Sequence, residues 1–99
     1  MQISFSFRHV DSSEGIKSYA SEKIARLQKY LRAPLTADVT ISKERHLNCV
    51  TISIMADGHR YSGTEESEDM YASIDLCIDK LDRQVRDAKA TATDRKRHG

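Results

Sequence analysis

Residues 65–89 read EESEDMYASIDLCIDKLDRQVRDAK, and this stretch carries the strongest structural signal in the 99-residue chain. Its apolar residues recur at steps of three and four, which predicts one long helix with a single buried stripe. Ser67 is the predicted N-cap of this helix, with Glu68 and Asp69 in its first turn. The stripe comprises Met70, Ile74, Cys77, Ile78, Leu81, Val85 and Ala88.

Charge is sorted along the same stretch. Residues 65–79 contain six acids and no Lys or Arg, whereas residues 80–99 contain seven bases and three acids. Because the formal net charge of the whole chain is only +1, any attraction to a polyanion must come from a local basic surface. Acids at the start of a helix and bases at its end also complement the helix dipole, which requires no binding partner. The pattern alone leaves both explanations open.

The residues before this stretch predict another helix near the start of the chain. Alternating Ile3, Phe5 and Phe7 predict a first strand with one buried face. Either Asp11 or Ser13 can cap the helix that follows, and a proline at position 34 ends it. The apolar stripe of this first helix comprises Ile16, Tyr19, Ala20, Ile24, Leu27 and Leu31.

Three further strands are predicted between the two helices. Residues 36–43 and 48–55 alternate between polar and apolar side chains, and Asp57-Gly58 indicates a hairpin turn before a returning strand at 59–64. Gly63 indicates either a bulge or the close approach of another element. The order β-α-β-β-β-α predicts an α+β domain in which two helices cover one face of a four-stranded sheet.

The length fits one domain, which we place at residues 1–90, followed by a flexible basic tail at residues 91–99. No apolar run approaches the roughly 18 residues that a membrane span requires. The first five residues lack the character of a signal peptide. We therefore expect a cytoplasmic protein with no membrane partner, in which Cys49 and Cys77 are reduced, packed thiols.

The sequence does not predict a catalytic or metal site. Its four histidines are scattered, and His46 and Cys49 would point to opposite faces of a strand. Phosphate-binding loops and nucleophile elbows are also missing from the sequence. We expect neither an enzyme nor a cofactor, metal or small-molecule substrate.

Both predicted helices carry bases at steps of three. A three-residue step lags a full turn by about 60°, so each series winds slowly around its helix and stays largely off the apolar stripe. If the helices lie side by side, their solvent sides would merge into one positive face that neutralises phosphates. The first series comprises Lys23, Arg26, Lys29 and Arg32, with Lys17 one step offset, and the second comprises Lys80, Arg83, Arg86 and Lys89.

Two blocks of the chain resemble a known family. SEDMYASID at residues 67–75, followed by DKLDRQV at 79–85, is similar to the signature of the ribosome hibernation promoting factors. These proteins are also called ribosome-associated inhibitors or sigma-54 modulation proteins. Further similarity lies in MQI at 1–3, RHV at 8–10, EKIARLQKY at 22–30 and SKE at 42–44, so the resemblance extends to about residue 89.

The resemblance implies a fold and a function. The family's fold is β-α-β-β-β-α with two parallel helices on a four-stranded sheet, similar to the double-stranded-RNA-binding fold. The implied partner is the 70S ribosome, bound in the mRNA and tRNA channel of the small (30S) subunit against 16S rRNA. The bound ribosome would be held inactive in stationary phase or starvation, as a stress response that regulates translation.

The resemblance also implies which bases face rRNA. These are Lys23, Arg26 and Lys29 on the first helix and Lys80 and Arg83 on the second, with Arg8 and Lys43 as weaker candidates near strand ends. Position 87 is often basic in the family but is Asp87 here, and Arg86 and Lys89 are the residues able to compensate.

A second function remains open. The chain could be a protein-interaction module that modulates a transcription factor or dimerises through its sheet face. Polar residues such as Thr51 and Ser53 on the strands allow that role without requiring it.

Overall fold

The computed structural model describes the backbone of residues 1–98 and the side chains of residues 1–90. The predicted order β-α-β-β-β-α is confirmed. The predicted flexible tail at 91–99 lies outside the described side chains, so the domain boundary at residue 90 stays a prediction. The elements are β1 (Gln2–Arg8), α1 (Glu14–Arg26) with a 3₁₀ turn (Leu27–Tyr30), β2 (Thr36–Glu44), β3 (Leu47–Ala56), β4 (His59–Ser67) and α2 (Met70–His98).

The four strands form one sheet in the order β1-β2-β3-β4. β1 runs parallel to β2, and the other neighbours are antiparallel. Alternation sends Phe5, Val39 and Ile52 from three adjacent strands toward the same face, where both helices pack. The fold class predicted from the sequence is therefore confirmed, and no helix within residues 1–98 covers the opposite face of the sheet.

A serine caps the first helix. The Ser13 hydroxyl accepts a hydrogen bond from the Ile16 N–H at 3.3 Å, so Ser13 rather than Asp11 is the N-cap. The helix tightens into the 3₁₀ turn before Pro34, and Leu27 and Leu31 remain buried in the core.

The start of α2 corrects the sequence prediction. Residues 65–67 belong to β4, where Glu65 pairs in register with Val50 of β3, and the helix begins only at Met70. The Asp69 carboxylate accepts from the Tyr71 N–H at 3.1 Å and takes the capping role predicted for Ser67. Ser67 instead closes the strand-to-helix turn.

Those turn contacts explain why Ser67 is not available as a cap. Its hydroxyl donates to the Asp69 carbonyl at 2.7 Å and lies 2.8 Å from the Ser73 hydroxyl. Ser73 in turn donates to the Asn48 carbonyl of β3 at 2.8 Å. This chain of hydrogen bonds, of which the Ser73–Asn48 bond is buried, ties the first turn of α2 to the sheet.

The hairpin predicted at Asp57-Gly58 is confirmed. Both residues have positive φ values, 54° and 77°, as a tight turn between twisted strands requires. The Asp57 carboxylate also accepts from the Arg32 and Ala33 N–H groups, each at 3.0 Å. The turn is thereby anchored to the segment between α1 and β2.

Gly63 marks a close approach rather than a bulge, because the register of β4 on β3 continues through it. A Cβ there would lie 3.2 Å from the Lys80 Cδ and 3.6 Å from the Cys77 sulfur. The Cys77 thiol is buried and donates to the Gly63 carbonyl at 3.2 Å. Burial raises the pKa of this thiol to about 11. α2 therefore sits close on β4, which fixes where Lys80 emerges.

Both cysteines are free thiols, and they lie on opposite sides of the sheet. Cys77 faces the sheet from α2, whereas the half-buried Cys49 alternates with buried Asn48 and Val50 on the side away from the helices.

Candidate nucleic-acid interface

A groove of about 420 Å³ runs between the two helices. One wall comes from α1 and its 3₁₀ turn, and the other comes from α2. Steps of three place the α1 bases along the groove, and steps of four and three place three α2 acids opposite them. The lining residues are Lys23, Arg26, Leu27, Lys29 and Tyr30 on the first wall and Asp75, Ile78, Asp79 and Asp82 on the second.

Lys23 is the base held most firmly in this groove. Its ammonium group lies 3.8 Å from an Asp75 carboxylate oxygen and 5.2 Å from the centre of the Tyr19 ring. The Lys23 side chain is 25% exposed. The cation is therefore shared between a carboxylate and an aromatic face.

Tyr19 and Asp75 join the helices across the groove. The Tyr19 hydroxyl donates to Asp75 at 2.7 Å, and its ring meets the Tyr71 ring edge-on with centroids 4.9 Å apart. The hydrogen bond to Asp75 raises the pKa of Tyr19, because the carboxylate favours the protonated phenol. This contact fixes the spacing of the two walls.

Arg26 and Lys29 extend the basic wall toward solvent. Both side chains are exposed, and the Lys29 ammonium lies 5.2 Å from the centre of the Tyr30 ring. Together with Lys23 they form what we term the α1 basic surface: Lys23, Arg26 and Lys29.

Lys80 and Arg83 lie on the other side of α2. They line a second hollow above β4 with Glu65, Gln84 and Asp87. The Lys80 ammonium is 2.9 Å from the Glu65 carboxylate, and this hydrogen bond raises the pKa of Lys80. We term these two residues, Lys80 and Arg83, the α2 basic surface.

Three carboxylates separate the two basic surfaces. We term them the acidic row: Asp75, Asp79 and Asp82. The row faces α1, whereas Lys80 lies about 100° around the helix from Asp79, on the β4 side. The structure therefore shows two basic surfaces with an acidic row between them, instead of the single merged face expected from the sequence.

The other two α2 bases predicted to contact RNA, Arg86 and Lys89, are engaged within the chain. Arg86 lies 3.0 Å from Asp82, one turn away on the same helix. Lys89 donates to Asp57 at 2.8 Å, and this bond is the main reason why the pKa of Asp57 lies far below its usual value. Any role of Arg86 and Lys89 in binding a polyanion must compete with these carboxylates.

Arg8 and Lys43 lie at the ends of neighbouring parallel strands, away from the groove. Arg8 pairs in register with Ser42, and alternation sends Arg8 and Lys43 toward opposite faces of the sheet. The structure brings neither of them together with the basic surfaces of the helices.

Sequence reasoning missed the residues that restrain the predicted site. The sequence pattern places Glu65 at the start of a helix and indicates only a turn at Asp57. The spacing of Asp75, Asp79 and Asp82 was the available signal for the acidic row, because steps of four and three keep side chains on one helical face.

Other kinds of site find no support among the described residues. Within residues 1–90, no group of three or more His, Cys, Asp or Glu side chains is placed to hold a metal ion. The described helices also include none with the length and apolar character that crossing a bilayer requires.

Comparisons with known proteins place the chain in a family. The family model described as sigma 54 modulation protein / S30EA ribosomal protein matches residues 3–93. A ribosome hibernation promoting factor from Azotobacter vinelandii is 33% identical over 85 residues, which cover 86% of this chain and 79% of the relative. The protein of that name from Escherichia coli K12 is 28% identical, covering 86% of this chain and 90% of the relative.

Solved structures show the same fold. The N-terminal domain of protein Y from Thermus thermophilus superposes with a TM-score of 0.80 at 30% identity, covering 86% of this chain and 96% of that domain. A ribosomal subunit interface protein from Coxiella burnetii superposes with a TM-score of 0.78, covering 91% and 99%. Because its sequence identity is only 22%, this second structure shows similarity of fold alone. With its family model matched from residue 3 to residue 93, the chain belongs to the sigma 54 modulation protein / S30EA ribosomal protein family.

Proposed function

We propose that this chain is a ribosome hibernation factor. It binds 16S rRNA in the mRNA and tRNA channel of the small (30S) subunit and holds the 70S ribosome inactive in stationary phase or starvation. The observation that carries the proposal is the exposed α1 basic surface in a chain whose relatives are named ribosome hibernation promoting factors. It acts by occupying the channel and performs no catalysis.

The physical basis of binding is phosphate neutralisation. Lys and Arg side chains that contact phosphates release the counterions condensed on the nucleic acid, which supplies affinity without base recognition. Helical side chains can position a protein on folded RNA by shape and backbone contacts alone. An inhibitor that occupies a fixed channel needs shape recognition more than it needs sequence reading.

We rank the proposed contacts by the exposure of each base and by its carboxylate partners. Arg26, Lys29 and Arg83 are exposed on the helix side of the molecule and are the strongest candidates. Lys23 and Lys80 have carboxylate partners at 3.8 Å and 2.9 Å, which a phosphate must displace or join. The weaker candidates are Arg86 and Lys89, which are engaged within the chain, and Arg8 and Lys43, which lie away from the groove.

Co-sedimentation with purified small subunits tests the proposal. Arg83→Glu and Lys29→Glu should each weaken binding roughly tenfold or more, since each replaces an attraction to phosphate by a repulsion. Arg60→Glu is the matched control, because Arg60 is exposed on β4 with its side chain on the face away from the helices. It changes the net charge by the same amount.

The outcomes separate the proposal from its alternative. Loss of binding in the helix variants with retention in the control supports an rRNA contact through the helices. Equal loss in all three would indicate a general charge effect and would contradict the assigned face. Binding that survives high salt and nuclease treatment would favour a protein-interaction module using the helix-free sheet face.

A further inference from the structure

We propose that the acidic row of Asp75, Asp79 and Asp82 determines specificity, by excluding RNA that would lie along the groove between the helices. This inference rests on the proposed function, since it concerns how the same surface distinguishes one RNA from another. Specificity is a difference between affinities, and a repulsive element against the wrong partner creates it as well as an attractive one does.

The first observation is that several of the basic side chains already form ion pairs with carboxylates of the same chain. Four of the nine residues proposed to contact rRNA have a carboxylate within 4.0 Å. The pairs are Lys23–Asp75 at 3.8 Å, Lys80–Glu65 at 2.9 Å, Arg86–Asp82 at 3.0 Å and Lys89–Asp57 at 2.8 Å. An unstructured polyanion therefore meets a surface whose positive charge is partly compensated, at these four bases.

The second observation is where the carboxylates stand. The acidic row forms one wall of the groove, directly across from Lys23, Arg26 and Lys29. A phosphate backbone laid along the groove would gain from the bases and lose against the row at similar distances. The carboxylates therefore repel a phosphate backbone at the same place where the bases attract it.

Asp79 is the central residue of this arrangement. It is exposed and lines both the groove beside α1 and the hollow beside Lys80 and Arg83. It therefore stands between the two basic surfaces. A ligand that satisfies both surfaces must present phosphates on either side of the row and something uncharged or positive over it.

Folded rRNA can meet that requirement, whereas a generic duplex or a flexible strand meets it only in part. The rRNA fold can hold two phosphate runs at a spacing that differs from that of a regular duplex, so that negative charge lies over each basic surface and the acidic row is spared. The carboxylates thus lower the affinity for most RNA, but they lower it little for an rRNA surface whose phosphates avoid the acidic row.

Asp79→Asn is the decisive variant. It removes one charge and leaves both the Tyr19–Asp75 hydrogen bond and the Asp82–Arg86 pair in place. Asp38→Asn is the matched control, because Asp38 is exposed near the start of β2 on the helix-free face and gives the same change in net charge. Both variants and the wild type are titrated, at one salt concentration, with small subunits and with a mixed-sequence RNA duplex of about 20 base pairs.

We expect Asp79→Asn to strengthen duplex binding by roughly two- to tenfold while small-subunit binding changes by less than about twofold. The ratio of the two affinities should therefore fall. Asp38→Asn should leave that ratio unchanged. An equal increase for both ligands in Asp79→Asn, or the same response in Asp38→Asn, would overturn the inference and assign the effect to net charge.

Failure of the proposed function would look different. Wild type that does not bind small subunits at all would remove the proposed function, and this inference with it. If wild type binds small subunits and Asp79→Asn has the same ratio of small-subunit to duplex affinity as wild type, the inference alone is overturned.

Discussion

The Tyr19 hydroxyl and the Asp75 carboxylate lie 2.7 Å apart and form a hydrogen bond between residues separated by 56 positions in sequence. The same carboxylate lies 3.8 Å from the Lys23 ammonium. One aspartate thus sets the spacing of the helices and restrains a base proposed to contact rRNA. The geometry of the α1 basic surface therefore depends on a residue of α2.

This bond has a spectroscopic signature. The pKa of Tyr19 is raised by Asp75, so the Tyr19 phenol should ionise above the ordinary value of about 10. The bond therefore stabilises the fold below that ordinary pKa, and this contribution is lost as pH rises through the folded-state value. Absorbance titration of the phenolate should show a late transition that Tyr19→Phe removes and Tyr30→Phe retains. A late transition that persists in Tyr19→Phe would contradict the assignment.

Asp57 should give stability of the opposite pH dependence. The Lys89 ammonium and two backbone N–H groups lower the pKa of this carboxyl far below its ordinary value. A depressed pKa stabilises the fold above the unfolded-state value of about 3.9, and the contribution is lost as pH falls from there toward the folded-state value. Asp57→Asn should therefore be less stable than wild type near pH 7, with the gap narrowing below about pH 4.

Urea unfolding near pH 7 and below about pH 4 measures the difference in free energy of unfolding between wild type and Asp57→Asn. Asp38→Asn is again the control, because Asp38 is exposed on the helix-free face. A gap of equal size at both pH values would show that Asp57 contributes through shape and hydrogen bonding rather than through its charge.

Hydrophobic periodicity was sufficient to predict the element order. The stripe of α2 and the alternation of β2 and β3 are local signals, and the core they predicted is the core observed. The error lay at residues 65–69, where a run of acids resembles a helix start. Three of those residues pair with β3, and a local pattern does not reveal a pairing partner about 15–20 positions away.

The candidate site was predictable only as a set of residues on two helices. The identity of the bases is local, but their orientation depends on which side of α2 faces α1. The partners of Lys80 and Lys89 are Glu65 and Asp57, which lie on β4 and in the hairpin turn. Compensation of charge across elements is a tertiary property, so the sequence predicted a positive face where the structure has two basic surfaces and an acidic row.

Gly63 links the packing of α2 to the position of Lys80. A Cβ would lie 3.2 Å from the Lys80 Cδ, and because that stem is flexible, Gly63→Ala should be nearly neutral. Gly63→Val adds two methyl groups beyond the Cβ. The buried Cys77 sulfur lies 3.6 Å from the Cβ position and leaves no room for them. We expect Gly63→Val to lower the free energy of unfolding by about 1–3 kcal/mol. Denaturant unfolding of the two variants measures this difference. Equal stability of Gly63→Val and Gly63→Ala would show that α2 is not held close to β4.

The dependence of ribosome binding on salt counts the phosphate contacts. Each contact contributes about 0.7–0.9 to the slope of log K against log salt concentration, so the slope measures contacts independently of total affinity. Arg83→Ala and Lys29→Ala should each reduce the slope by roughly that amount. The double variant should reduce it by about the sum of the two, because the residues lie on separate basic surfaces. Arg60→Ala should leave it unchanged. A helix variant that lowers affinity at an unchanged slope would show that its side chain packs against the ribosome without neutralising a phosphate, and the contact would then have to be assigned to ribosomal protein or to a base edge.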